Sequence, residues 1–370
     1  MARRVLFLGS GFAGHRTRFL NLRDHVVEDG RIEPVFGLVS GWKDGGLLER
    51  LRFPGAGMRG ALRAAIEASP LASIPRPDAI WTAAGTSLTP WLWSQAGPLR
   101  RPLIVDFDWT VDQREAWSQQ YFARAPRRGA RLALTRLQER LLWRSASVLT
   151  PWSRWAADAA VAAGARSENI RVIPPGVDLA RWTSERTPRR CVGPLRLLFV
   201  GGDLERKGGR MLADVVHAHF SGRCELDVVT HRDLDGTAQV RVHRADANSP
   251  ELRALYARAD LFVMPSSADC FGIATIEAMA SGVPVIVSDV GAAAEIVDDG
   301  ATGWLIAPDP GAVRLALERA LGERERLPAM GARARAVAEE RFDGRRNDRA
   351  VVDVIVEALA ASGRPPAATR

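Results

Sequence analysis

Short runs of consecutive apolar residues recur along the chain, each bounded by glycine, proline or polar turn residues, and stretches with helical spacing separate them. Such near-continuous runs predict strands buried on both faces of a parallel sheet, with helices packed on either side. In the first half the expected strands are 5–8, 32–38, 79–82, 102–105, 147–150 and 170–173. The helices expected there begin near Thr17 and cover 132–144 and 154–163. Residues 183–194 (TSERTPRRCVGP) are polar, basic and broken by proline, as befits a linker. The second half repeats the pattern, with strands at 195–200, 225–229, 240–242, 261–264 and 284–287 and helices at 210–220, 251–259 and 273–279. Three further helices, 310–321, 327–341 and 346–361, precede a proline-rich end. Two α/β domains in tandem are the fold expectation, 1–182 and 195–344 joined by the linker 183–194.

A length of 370 residues suits two domains, and 46% hydrophobic with 25% charged residues suits a folded chain. The three cysteines, Cys191, Cys224 and Cys270, are too scattered for a disulfide framework or a zinc site. No segment approaches the roughly 18 consecutive apolar residues that span a bilayer, and the apolar stretch 5–8 is too short for a signal peptide. A cytoplasmic location is expected, with peripheral contact at the inner face of an anionic membrane left open. The net charge of +8 favours anionic partners in general, and patches at 59–67 and 127–144 are where a basic amphipathic surface would meet lipid. Almost all the positive charge is arginine, because Lys43 and Lys207 are the only lysines.

That bias draws attention to residues 199–209 (FVGGDLERKGG), where a buried strand runs into Gly201 and Gly202 and then a helix. Backbone N–H groups and the positive end of a helix can there meet phosphate oxygens, with Arg206 and Lys207 adding charge. There is no G-K-[ST], so this is not a nucleotide-hydrolysing P-loop. Residues 265–277 (PSSADCFGIATIE) leave the end of another apolar strand and open a helix near Ile273. With a bend at Gly272, Asp269 stays in the crevice beyond the strand ends while Glu277 lies one turn into the helix. Two carboxylates so placed can accept from sugar and ribose hydroxyls. In residues 282–295 (GVPVIVSDVGAAAE), Gly291 and Ala292 offer backbone N–H groups beside small side chains.

In the first half, Gly9, Gly11 and Gly14 (GSGFAG) match a dinucleotide fingerprint loosely, with Asp29 as the acidic residue beyond. His15 follows directly and could face the crevice. Asp106 and Asp108 (VDFDW) sit at a strand end, where either could orient an acceptor hydroxyl or take its proton. Asp112 and Arg114 follow on the same wall, and Asp178 stands in the turn 174–178.

These segments resemble the retaining glycosyltransferases of family 4, which have the two-domain GT-B fold. The resemblance implies two Rossmann-like domains facing each other across a cleft, with the helix at 345–370 crossing back onto the first. It further implies that Lys207, followed by Gly208, grips a donor diphosphate. The family's pair of acidic residues falls on Asp269 and Glu277, with Phe271, Gly272 and Ile273 between them, and the turn 172–178 (VIPPGVD) resembles the end of the family's first domain. The sequence departs from the family in three places: Asp269 stands for a glutamate, Gly202 for an arginine that Arg206 could replace, and Asp106-Phe107-Asp108 for a histidine. The resemblance implies metal-independent transfer, without a cofactor, of a hexose-type sugar from a UDP- or GDP-sugar to a saccharide, lipid-linked or small-molecule hydroxyl. A nucleotide-sugar epimerase or another GT-B enzyme would use the same loops. An RNA- or polyanion-binding protein would explain the charge but not three glycine loops, so nucleic acid is not an expected partner.

Overall fold

The computed structural model describes residues 2–11, 13–40, 50, 67, 77–83, 101–183 and 193–363. Most of the linker with Cys191, the patch 59–67 apart from Glu67, Lys43, Trp91, Trp93 and the last seven residues lie outside them. The chain divides into two compact units, residues 1–115, 127–175 and 344–370 in the first and 116–126 and 176–343 in the second. The change of unit thus falls at residues 175–176, ahead of the polar segment 183–194, and a short piece of the first half, 116–126, clusters with the second unit.

In the first unit β1 (Arg3–Ser10), β2 (Ile32–Val39), β3 (Ala79–Ala83), β4 (Leu103–Phe107) and β5 (Val148–Pro151) form one parallel sheet in the order β2-β1-β3-β4-β5. Alternation along each strand feeds both faces. Phe7, Trp81 and Ile104 pack against α1 (Ala13–Asp29), while Ile80, Val105 and Phe107 pack against α4 (Gly129–Ser145) and α5 (Arg154–Ala162). Two short helices, α2 (Val111–Ala116) and α3 (Ser118–Phe122), follow β4 and have no counterpart in the hydrophobic pattern. The run 170–173, expected as a strand, makes only an isolated bridge from Ile170 to Leu149. Its hydrogen bonds reach β5 from Arg171 and Ile173 alone, at 2.9 and 3.0 Å, before two prolines stop it.

The second unit holds β6 (Leu195–Val200), β7 (Cys224–Val229), β8 (Val240–His243), β9 (Leu261–Met264), β10 (Val285–Ser288) and β11 (Gly303–Ile306) in the order β11-β10-β9-β6-β7-β8, all parallel. Its helices are α6 (Gly209–His219), α7 (Pro250–Arg258), α8 (Ile273–Ala280), α9 (Ala293–Ile296), α10 (Pro310–Gly322) and α11 (Leu327–Arg341). From β6 the chain proceeds outward through β7 and β8, then returns to build β9, β10 and β11 on the other side. The strand order therefore reverses between β6 and β9, and a crevice opens beyond their carboxyl ends. Those two ends carry the loops at 201–208 and 265–272.

The last helix, α12 (Gly344–Ala361), belongs to the first unit, where Val351, Val352, Ile355 and Leu359 join Leu22 and Val26 of α1 in one core. Asp348 of α12 is fully buried and bonds both Arg18 and His25 of α1, the latter at 2.7 Å. A buried carboxylate held by a guanidinium and an imidazole ties these helices in register, because loss of Arg18 would leave its charge unpaired away from water.

Candidate functional site

In the second unit, the loop after β6 is pressed onto the loop after β9. Gly208 has φ 74°, and a Cβ there would stand 2.3 Å from the Pro265 carbonyl oxygen. Glycine is needed at that position both for the left-handed backbone and for the close approach. The turn also closes on itself: the amides of Gly201, Lys207 and Gly208 donate to the carbonyls of Val229, Asp203 and Glu205 at 3.0, 3.0 and 3.2 Å. Of the N–H groups expected to form a cradle, that of Gly201 is thus given to β7 and those of Lys207 and Gly208 to the turn. Gly202 is different, since nothing lies within 4 Å of a Cβ built on it.

Lys207 reaches across to the second loop, with its Nζ 3.3 Å from Asp269 Oδ2 and 3.8 Å from Met264 Sδ. Both members of this ion pair are mostly buried. Arg206, by contrast, is built into the protein. Its Nη1 donates to the Ala268 carbonyl at 2.8 Å, its Nε to Asp203 Oδ2 at 3.3 Å, and its guanidinium carbon lies 4.1 Å from the centroid of the Tyr121 ring. The structure therefore gives Arg206 the task of joining the two loops and α3, with its charge already shared with Asp203. Tyr121 also places its hydroxyl 3.4 Å from Cys270 Sγ.

Gly272, with φ 83°, precedes the first residue of α8, and the helix then runs through the interior of the unit. Glu277 is 4% exposed, so it is a core carboxylate and not the surface residue that a helix position by itself would allow. Its Oε2 accepts from the Tyr256 hydroxyl of α7 at 3.1 Å; the same hydroxyl lies 3.1 Å from the Ala274 carbonyl. Burial pushes the Glu277 carboxyl up to about 7, with Tyr256 and the Lys207 charge holding it back from going higher. Phe271 turns inward, edge-on to Phe342 at 6.2 Å, and Ile273 is buried.

The third loop supports the second. Gly291 has φ 60°, and a Cβ there would stand 2.1 Å from the Asp269 carbonyl oxygen, while the Ala292 amide donates to the Cys270 carbonyl at 3.1 Å. The backbone of Gly291 thus lies against the Asp269 carbonyl, and Ala292 ties the third loop to Cys270.

The first unit carries a separate polar cluster at the carboxyl ends of its strands. His15 Nε2, in the first turn of α1, lies 3.1 Å from Asp108 Oδ1, and its ring packs 4.7 Å from that of Trp152. Trp152 Nε1 donates to Asp106 Oδ2 at 2.6 Å, and Thr150 Oγ1 donates to Asp106 Oδ1 at 3.1 Å. Burial opposes a proton on His15, but the charge and hydrogen bond of Asp108, with Asp106 behind, outweigh it and hold the imidazole above its ordinary range. Burial raises Asp106, against the nearby Arg18 charge and the bonds from Trp152 and Thr150. Asp106 is thereby an internal acceptor, and Asp108 with His15 is the pair left nearer the surface.

The loose dinucleotide fingerprint resolves into packing. Gly9 lies inside β1, where a Cβ would collide with the Phe19 ring at 2.3 Å, and the Gly11 amide donates to the Val39 carbonyl at 2.7 Å. Asp29 ends α1 and is bonded by Arg31 at 2.6 and 2.8 Å, which holds its carboxyl below the usual range. Asp112 pairs with Arg136 at 2.7 Å, and Asp178 accepts from the Ala180 amide at 3.0 Å within its own turn.

Sequence reasoning missed Tyr256, Tyr121 and Asp203, and it named Trp152 only among the tryptophans suited to a sugar face. Asp203 was readable as the residue three before Arg206 in a tight turn, and Trp152 as the residue leaving the strand beside Asp106. Tyr256 and Tyr121 reach their partners over 21 and 149 residues, and no local pattern marks them. Among the described residues, no group of three or more His, Cys, Asp or Glu side chains stands together as a metal site.

Two family models tile the chain: the glycosyl transferase 4-like domain over residues 13–176 and the glycosyl transferases group 1 over residues 194–323. A D-inositol 3-phosphate glycosyltransferase of Arthrobacter is 32% identical over 161 residues, 38% of either chain. The chain therefore spans about two fifths of the length of the first curated relatives it matches. Among solved structures, a sucrose-phosphate synthase from Thermosynechococcus elongatus superposes with a TM-score of 0.78 at 17% identity, covering 97% of this chain and all of the other. Anabaena HepE in complex with UDP and glucose does so with a TM-score of 0.68 at 17% identity, covering 96% and 100%. With its two Rossmann-like units, the first overlapped by the glycosyl transferase 4-like model and the second by the group 1 model, the chain is a GT-B-fold relative of the group 1 glycosyl transferases.

Proposed function

We propose that the protein is a retaining glycosyltransferase that moves a hexose-type sugar from a UDP- or GDP-sugar to a hydroxyl of a saccharide, lipid-linked or small-molecule acceptor. The observation that carries this reading is the gathering of Lys207, Asp269 and the buried Glu277 at the strand-order reversal of the second sheet. Glu277 accepts from the two ribose hydroxyls, a task for which a buried, partly satisfied carboxylate is suited. Lys207 meets the diphosphate and exchanges Asp269 for phosphate oxygen, and Asp269 is then released to the sugar hydroxyls. Gly202 leaves room beside the phosphates that a side chain would fill.

In the reaction the acceptor oxygen bonds to the anomeric carbon on the face from which the diphosphate leaves. The bond from that carbon to the phosphate oxygen breaks, its electron pair departs with the diphosphate, and Lys207 stabilises the charge that develops there. The first unit serves the acceptor: its Asp108, held by His15, orients the hydroxyl and takes its proton. HepE, whose structure contains UDP and glucose, supports a uridine donor as the first to try.

The test is thermal stabilisation by UDP, GDP, ADP and their sugar conjugates, with Glu277→Ala beside the wild type. One base series should raise the melting temperature, and the variant should lose most of that shift, since a ligand bound only by the folded state must stabilise it. No response from the folded protein to any nucleotide would remove the donor assignment.

A further inference from the structure

Helix α4 (Gly129–Ser145) is apolar on two opposite sides. Its inner side is accounted for: Leu142 and Trp143 are buried in the core with Leu103, Val105 and Phe107, and Glu139 beside them accepts from the Val111 amide at 2.6 Å. The outer side is not accounted for. Leu134, Leu137 and Leu141 are 54%, 53% and 44% exposed. At 100° per residue they fall within an arc of about 60°, on the side away from Leu142 and Trp143. The other large exposed apolar residues among those described stand singly on their elements, as is ordinary for a protein surface, and only α4 aligns three.

The charge around this ridge has one sign. Residues 124–144 carry seven arginines and a single carboxylate, Glu139, which is turned inward. Arg136 is paired with Asp112, and Arg140 bonds the Ala163 carbonyl. Arg131 and Arg144 flank the leucines on either side by helical position, and neither has a carboxylate partner among the described residues. A second copy of the helix laid on this face would set arginine against arginine. A bilayer surface presents the complementary chemistry, acyl chains at the level of the leucines and anionic phosphates at the level of the guanidinium groups.

We propose that the outer face of α4 docks on an anionic lipid bilayer, with Leu134, Leu137 and Leu141 seated at the boundary between head groups and acyl chains and with Arg131 and Arg144 on lipid phosphates. No helix among the described residues is long and apolar enough to cross a membrane, so attachment by this face is peripheral. The inference stands apart from the choice of donor, because binding to lipid is read without turnover.

The experiment is flotation of the full chain with vesicles of phosphatidylcholine alone and with one third phosphatidylglycerol. Three forms are compared: wild type, Leu134→Ser/Leu137→Ser/Leu141→Ser, and Arg131→Gln/Arg144→Gln. All the substituted side chains are exposed, so unchanged melting temperatures establish that the variants are folded. Wild type should partition onto the anionic vesicles at least ten-fold more strongly than onto the neutral ones. The serine variant should lose ten-fold or more, and the glutamine variant about ten- to thirty-fold at low salt. Absence of wild-type binding to anionic vesicles, or binding unchanged in the serine variant, overturns the proposal. So does a wild-type dimer in light scattering that the serine variant abolishes, because the face would then belong to a second copy.

Discussion

Replacing Glu277 by glutamine should make the protein more stable while depriving it of its nucleotide. Glutamine matches the carboxylate in shape and still accepts from Tyr256, so the change removes little except the capacity to ionise. The ordinary glutamate value of 4.5 is raised to about 7 in the fold by burial. Between those two values the folded protein holds a proton that the unfolded chain has released, so stability falls as pH rises across that window. Above pH 7 the penalty is complete, about 2.5 units at 1.36 kcal/mol each, or roughly 3 kcal/mol. At pH 5 it has shrunk to about 1 kcal/mol. For a cooperative unit of this size, each kcal/mol moves the melting temperature by about 2–4 °C. Glu277→Gln should therefore melt about 6–12 °C above wild type at pH 8 and only about 2–4 °C above it at pH 5. Differential scanning calorimetry of both forms across this range is the assay, and titrating groups common to both cancel in the difference. A variant no more stable than wild type at pH 8, or a difference that does not change with pH, would refute the placement of Glu277 as a buried, strained carboxylate.

Tyr256→Phe removes the hydrogen bond that holds Glu277 down, so the pH midpoint for nucleotide binding, which strengthens as the carboxylate ionises near 7, should move upward in calorimetric titrations. Gly202→Arg should cost less than about 1 kcal/mol in denaturant unfolding, because its Cβ meets nothing. Gly208→Ala and Gly291→Ala should each cost about 2–4 kcal/mol, for their Cβ atoms would meet backbone oxygens at a positive φ. Tyr121→Ala should raise the donor KM about 3- to 30-fold through loss of the ring under Arg206, and Tyr121→Phe should restore it. Asp108→Asn should lower the His15 pKa, seen in the NMR titration of its ring protons, because the charge that favours the imidazolium is gone.

The amino-acid sequence by itself determined the α/β architecture and where its loops lie. Runs such as 195–200 and 261–264 became β6 and β9 with the expected bounds, because apolar continuity and bounding glycines act over a few residues. The same local logic placed Lys207, Asp269 and Glu277 at strand ends and a helix start. It failed at 170–173, where a strand-like run lies beyond β5 and pairs through an isolated bridge, and at β11 (Gly303–Ile306), a strand of four residues that borrows its order from β10. Only the tertiary structure decided what the charges do. Burial by the surrounding unit raised Glu277, and Tyr256 reached it from another helix. Arg206 was drawn onto Tyr121 and Asp203, and the Gly291 backbone came to lie against the Asp269 carbonyl. Solvation and partner choice depend on atoms brought together from distant points of the chain, and a linear pattern holds no measure of either.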